Sequence, residues 1–166
     1  MSGSPIRIRR AVAGDVLALH ELMQRRAKFE RYDADFAVSA DTLHAQGFER
    51  EPPDFYALVA EAANAAGVLS GMLVYYLIPF TFRARPTLYI KELYVVEGGR
   101  GQGIGEALMR AAAREAIALG CAAIKWQVAE WNTHACTFYE RLGATADHLW
   151  VDYALSETSI RKLADE

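Results

Sequence analysis

Apolar and charged residues alternate over residues 6–10, as they do along a half-buried strand. From Val16 the period lengthens: Val16, Leu19, Leu22, Met23 and Phe29 recur at helical spacing, and Asp15 ahead of them is a suitable N-cap. Residues 31–37 read as a loop, and Ser39 or Asp41 opens a short second helix that ends near Gly47. Glu51-Pro52-Pro53-Asp54 is a hard break. Three apolar runs follow, at residues 55–62, 68–78 and 87–96. The first two are joined by a hairpin turn at 63–67 and the last two by a connection over 79–86. Residues 103–119 are helical and Gly120 is a natural stop. A strand at 122–129, a short helix at 133–142 ended by Gly143, a final strand at 144–155 and a helical tail complete the chain. The order β-α-α-β-β-β-α-β-α-β predicts an α/β (α+β) domain, antiparallel in front with a strand-helix-strand unit behind.

Composition narrows this further. With 166 residues and no shift in composition, the chain reads as a single domain over 1–166. A net charge of -3 offers no basic surface for nucleic acid. No apolar run is long enough to cross a bilayer, and the start has no signal-peptide core. Cys121 and Cys136 have no metal spacing and need no bridge, so a reducing cytoplasm is the simplest setting. The histidines at 20, 44, 134 and 148 are scattered, and no metal site is expected.

The chemistry concentrates in Arg100-Gly101-Gln102-Gly103-Ile104-Gly105, between a strand and an alanine-rich helix. A P-loop needs a lysine and a hydroxyl after its last glycine, and Glu106 and Ala107 stand there instead. The dinucleotide fingerprint needs a glycine at the sixth position, where Glu106 or Leu108 falls. Alternating glycines before a helix bare its unpaired N–H groups and positive dipole end to a diphosphate. Arg100 adds a fixed positive charge. A plain strand-to-helix turn is the competing reading.

Two signatures together carry a family resemblance. The loop from Arg100 to Gly105 resembles the acetyl-CoA loop of the GNAT superfamily of N-acetyltransferases. Val128-Ala129-Glu130-Trp131-Asn132, followed by Phe138-Tyr139-Glu140-Arg141-Leu142-Gly143-Ala144, is similar to that superfamily's second signature. Ala27-Lys28-Phe29-Glu30, the FYALVAE run at 55–61, Tyr75-Tyr76 and Leu88-Tyr89 resemble, in order and spacing, the diamine (spermidine/spermine) and thialysine acetyltransferases. The resemblance implies the GNAT fold: a mixed sheet of six to seven strands flanked by about four helices. It also implies acetyl transfer from acetyl-CoA directly to a primary amine of a small molecule, and a homodimer. Protein or peptide acetylation, or a non-catalytic acyl-CoA-binding module, are the alternatives.

The same resemblance assigns residues. Gly101, Gln102, Gly103, Ile104, Gly105 and Glu106 would hold the pyrophosphate, with Arg100 beside them. Leu93, Tyr94 and Val95 would run along the pantetheine arm. Asn132, Thr133, His134 and Ala135 would meet the far side of the cofactor, and Tyr139 would face the thioester sulfur. Phe29, Glu30 and Glu92 would line the amine pocket. The reaction needs a proton acceptor, because an alkyl ammonium has a pKa near 10. Glu92 is the first choice, before Glu30 and Glu130. Tyr139 lies seven residues, two helical turns, after Asn132 and would be the general acid; a core aromatic pair with Phe138 is the other reading.

One position departs from the subfamily. Its enzymes carry two adjacent acids where this chain has Lys91-Glu92. Strand alternation puts these two on opposite faces unless a bulge intervenes. If Lys91 faces the pocket it repels a polycation and attracts a substrate carboxylate; if it faces outward the change has little effect.

Overall fold

The computed structural model describes residues 6–62 and 65–165. Ala63 and Asn64 of the expected hairpin turn lie outside the described residues. The chain divides into two compact units, one ending at Gln127 and the other beginning at Val128.

The first unit is built on a five-stranded sheet in the order β1-β2-β3-β4-β5. Its strands are β1 (Ile6–Arg10), β2 (Tyr56–Ala62), β3 (Leu69–Ile78), β4 (Thr87–Val95) and β5 (Ala123–Lys125). The first three pairings are antiparallel, and β4 and β5 run parallel. A parallel neighbour requires a crossover, which α3 (Ile104–Ala118) supplies. α1 (Val16–Phe29) and α2 (Ala40–His44) precede β2, and a π-helical turn, Ala45–Glu49, extends α2. Ser39 Oγ accepts the Thr42 N–H at 3.0 Å and caps α2.

Each face of the sheet buries one helix. Val16, Leu19, Leu22 and Met23 of α1 pack on Val59, Met72, Val74 and Tyr94. Ile104, Leu108, Ala112 and Ala116 of α3 pack on Leu58, Leu73, Tyr75, Leu88 and Ile90. Leu19 and Leu108 are fully buried, and each such side chain contributes about 1.5–3 kcal/mol of hydrophobic transfer. Polar links tie the strand ends. Arg9 donates to Asp15 Oδ2 at 2.7 Å and to Glu61 Oε2 at 2.9 Å. Glu115 of α3 pairs with Arg10 and accepts the Tyr75 hydroxyl at 3.2 Å.

Asp15 does not cap α1 as expected. It ends a 3-10 turn, Ala13–Asp15, and its carboxylate accepts from Arg9 and from the Val12 N–H, at 2.8 Å for the latter. The Arg9 guanidinium holds that carboxyl below the usual range.

The second unit contains α4 (Thr133–Arg141) and α5 (Glu157–Ala164). Asn132 Oδ1 caps α4 by accepting the Ala135 N–H at 3.2 Å. The helix ends where Gly143 turns left-handed, with φ +88°. Ala144 N–H then bonds Tyr139 O at 3.1 Å and Gly143 N–H bonds Glu140 O at 2.9 Å; this is the paired closure that a glycine C-terminus allows.

The described residues thus form five strands rather than six or seven, in a mixed α/β fold with five α-helices. The strand expected at 122–129 is only Ala123–Lys125, because its ladder with β4 stops at Tyr89↔Lys125. Residues 144–155 form no strand. Their apolar side chains are exposed, Val151 at 78% and Tyr153 at 96%. A strand needs a hydrogen-bonded neighbour as well as an alternating pattern.

Candidate functional site

The site in the first unit begins with a fault in a ladder. β3 and β4 pair Val74↔Glu92 and then Tyr75↔Ile90, so Lys91 is an extra residue in β4. This bulge switches the alternation of the strand. Tyr94 belongs to the core beneath α1, whereas Ile90 and Leu88 belong to the core beneath α3. Glu92, two residues from Tyr94 and opposite Val74, is turned to the α1 side, where it meets Arg26. Lys91 itself is exposed.

Around Glu92 the last turn of α1 assembles a charged cluster. Arg26 Nη1 lies 3.6 Å from Glu92 Oε1, and Arg26 Nη2 lies 2.9 Å from Glu30 Oε2. Arg26 Nη1 also donates to the Tyr32 hydroxyl at 2.5 Å. Tyr32 reaches this place because α1 closes through Arg31 in a left-handed conformation, φ +64°, and Tyr32 N–H returns to Ala27 O at 3.0 Å. A non-glycine residue there costs about 1–2 kcal/mol. The side chains of Arg26 and Glu92 are only 14% and 13% exposed. Among the described residues, the buried side-chain polar atoms without a hydrogen-bond partner are Arg26 Nε and Glu92 Oε2. Burial pushes the Glu92 carboxyl above its ordinary range, against the lowering influence of Arg26 and Lys91. Burial, with the nearby Glu92 charge, likewise raises the Tyr32 phenol.

Leu93, Tyr94 and Val95 follow on the same strand. They pair with Leu73, Met72 and Gly71 of β3. They lie beyond the β5 ladder, which covers only Thr87 to Tyr89. The end of β4 is therefore a strand edge beside the start of α3.

The glycine segment completes this side. Gly101 and Gly103 are left-handed, φ +75° and +78°, and a Cβ on either would meet nothing within 4 Å. Their need for glycine is conformational rather than steric. Gly101, Gln102 and Gly103 are exposed and Gly105 and Glu106 half-buried, while Ile104 is buried as the first anchor of α3. The first backbone bond into the helix runs from Ala107 N–H to Gly103 O at 2.9 Å. The N–H groups ahead of it have no carbonyl within the helix to bond. Gln102 donates to Gly98 O at 2.8 Å, and Glu106 pairs with Arg110 at 2.6 Å. The Arg100 guanidinium stands 4.7 Å over the Phe29 ring and 5.8 Å from the Tyr94 ring.

In the second unit Asn132 caps α4, Thr133 and His134 are exposed, and Ala135 and Tyr139 are half-buried. The Phe138 and Tyr139 rings lie 5.1 Å apart, tilted by 58°. Glu130 is exposed.

The chain has relatives among known proteins. The profile of the acetyltransferase (GNAT) family matches residues 16–144. The chain belongs to that family. It is an N-acetyltransferase of mixed α/β GNAT fold. It is 34% identical to the thialysine N-epsilon-acetyltransferase of Mus musculus, over 95% of this chain and 96% of that one. It is 30% identical to an L-ornithine N5-acetyltransferase of Arabidopsis thaliana, over 70% of this chain and 50% of that one. An integron cassette protein from V. cholerae shares the fold, with a TM-score of 0.77 at 24% identity over 99% of this chain and 100% of that one.

In this GNAT chain the structure gathers Glu30, Glu92 and the end of α1 into one cluster, and links Phe29 to the glycine segment through Arg100. It keeps Lys91 out of that cluster as an exposed bulge residue. Arg26 and Tyr32 belong to the cluster but escaped the sequence reading. Arg26 had a signal: it stands on the stripe of Leu19, Leu22 and Met23, where an apolar residue is expected.

Proposed function

We propose that this N-acetyltransferase moves the acetyl group of acetyl-CoA directly to a primary amine of a small molecule, a diamine or a thialysine-like amino acid. The observation that carries the reading is Glu92: a buried carboxylate with one oxygen lacking a protein partner, beside the edge of β4. A carboxyl raised by burial is a better proton acceptor than an ordinary one, and the acceptor ammonium must lose a proton to attack. Glu92 Oε2 takes that proton, directly or through water. Glu30 and Phe29 line the acceptor site, and the exposed Lys91 is the bulge residue next to Glu92. The mouse and plant relatives are named for amino-acid acceptors, which supports the same class here.

Acetyl-CoA, when bound, supplies an activated thioester. The residues present fit it: left-handed glycines bare the first N–H groups of α3, and open space lies where their side chains would be. Gly101, Gln102, Gly103, Ile104, Gly105 and Glu106 hold the pyrophosphate there, with Arg100 as a nearby cation. Backbone groups of Leu93, Tyr94 and Val95 offer hydrogen bonds to an extended amide chain. Asn132, Thr133, His134 and Ala135 complete the donor site, and Tyr139 gives its phenolic proton to the leaving thiolate. The chain acts as one domain over 1–166, in the cytoplasm, and as a homodimer. The exposed apolar side chains of Leu149, Val151, Tyr153 and Leu155 support pairing with a second copy.

The test is acetyl-CoA binding by calorimetry, followed by release of CoA thiol with thialysine, ornithine, spermidine and an aminoglycoside. Binding with amine-dependent turnover on at least one is expected. Binding without turnover on any of them rejects the small-amine reading.

A further inference from the structure

Arg26 has no assigned role, yet it is the hub of the cluster. Its guanidinium pairs with Glu30 at 2.9 Å, donates to the Tyr32 hydroxyl at 2.5 Å and stands as counter-charge 3.6 Å from Glu92. It sits on the apolar stripe of α1, next to fully buried Ala27. Placing a charge there costs desolvation, which only its partners offset. A methionine or leucine at this position would continue the helix and the stripe. The arginine therefore calls for an explanation in the cluster it serves rather than in the core.

The groups whose charge or packing acts on Glu92 can be named. From α1 and its closing turn come Arg26, Glu30 and Tyr32; from its own strand comes Lys91; its partner on β3 is the apolar Val74. Two of these groups are cations. Arg26 is the buried one and exerts the larger lowering influence. Without Arg26, burial and the charge of Glu30 both favour the neutral acid.

We propose that Arg26 is a positioning residue for acetyl transfer: its guanidinium stands as counter-charge beside one oxygen of Glu92, leaves the other open to a proton, and supplies the charge that keeps the carboxylate ionised. The proposal rests on Glu92 being the base. The Tyr32 hydroxyl and Glu30 fix the guanidinium in turn, which explains why the chain tolerates the left-handed Arg31 that brings Tyr32 back.

The experiment compares the wild-type protein with its Arg26→Met and Arg26→Lys variants. Two readouts are taken: the titration of the Glu92 carboxyl by 13C NMR, and kcat/KM for thialysine from pH 6 to pH 10. The acceptor amine is common to all three proteins, so differences between profiles report the enzyme. Arg26→Met should raise the Glu92 midpoint by at least about one pH unit. It should lower kcat/KM about tenfold on the acid limb, the loss closing as pH rises. Arg26→Lys should restore most of both. An unmoved Glu92 midpoint, or a loss of equal size at every pH, overturns the proposal. Should Arg26→Met unfold, the lysine variant against wild type decides, by whether the acid limb and midpoint hold. If wild type acetylates no amine, the functional reading fails, and the NMR titration still decides whether Arg26 sets the charge of Glu92.

Discussion

Ile90 and Glu92 are two residues apart on one strand, yet they face opposite sides of the sheet, because Lys91 is an extra residue between them. The bulge lets β4 place Leu88 and Ile90 under α3 and still present Glu92 to α1. Deleting Lys91 would make Ile90 and Glu92 neighbours in a regular ladder and keep both sets on their faces, whereas one residue inserted after Val74 would pair with Lys91, restore alternation through it and force one set onto the wrong face. The insertion should abolish turnover and lower Tm, whereas Lys91→Ala should change stability by no more than about 0.5 kcal/mol. Thermal denaturation and thiol release on both variants check this; an insertion variant with wild-type activity would deny the bulge its role.

Glu92→Gln should separate activity from stability. Loss of a general base costs about 10²–10⁴-fold in rate. Stability should move the other way. The unfolded carboxyl titrates near 4.3, and burial raises the folded one above that. The native state is therefore penalised as pH rises through the interval between them. The glutamine variant should melt higher than wild type at pH 8, by about 2–4 °C for each kcal/mol recovered. At pH 4 the advantage should vanish. Equal melting temperatures at pH 8 would show that Glu92 carries no burial penalty.

Gly103 tests the donor loop. Its φ of +78° is left-handed, and a side chain there would project into open space. Asparagine tolerates this conformation and a β-branched residue does not. Gly103→Asn should cost little stability, and Gly103→Val about 1–2 kcal/mol or more. Both should weaken acetyl-CoA binding, because both place atoms over the first N–H groups of α3. Calorimetric titration of the two variants gives the answer, and unchanged affinity in both would remove the loop from the donor site.

Tyr139→Phe keeps the ring that contacts Phe138 and removes only the hydroxyl. The fold of α4 should survive, since its cap and its closure use Asn132 and backbone groups. Acetyl-CoA affinity should stay within about twofold while kcat falls about 10²-fold. A parallel loss of binding would make the tyrosine a packing residue.

Much of this was legible before any coordinates. Period, caps and glycine stops placed β1, α1, β2, β3, β4 and α3 within a residue or two. The glycine turn before α3 was legible because glycine is the residue most at ease at the left-handed positions of Gly101 and Gly103. The charged cluster at Glu92 was less so. The shift of apolar phase between Ile90 and Leu93 is visible in the sequence, but it becomes a bulge only through pairing with β3. Tyr32 was hidden because the turn that returns it uses Arg31 rather than glycine. Asp15 was misread because Arg9 and Val12 compete for the carboxylate that an N-cap would use. The strands expected at 122–129 and 144–155 failed for a general reason. Alternation describes a face, and a strand also needs a neighbour.

The most direct test of the account is a product balance. The protein is incubated with acetyl-CoA and thialysine, and the CoA thiol released is compared with the acetyl-amine formed, by mass spectrometry. The account predicts one acetyl-amine per thiol, with neither formed when the amine is left out. Thiol release without acetyl-amine, or an acetyl group retained on the protein, would contradict it.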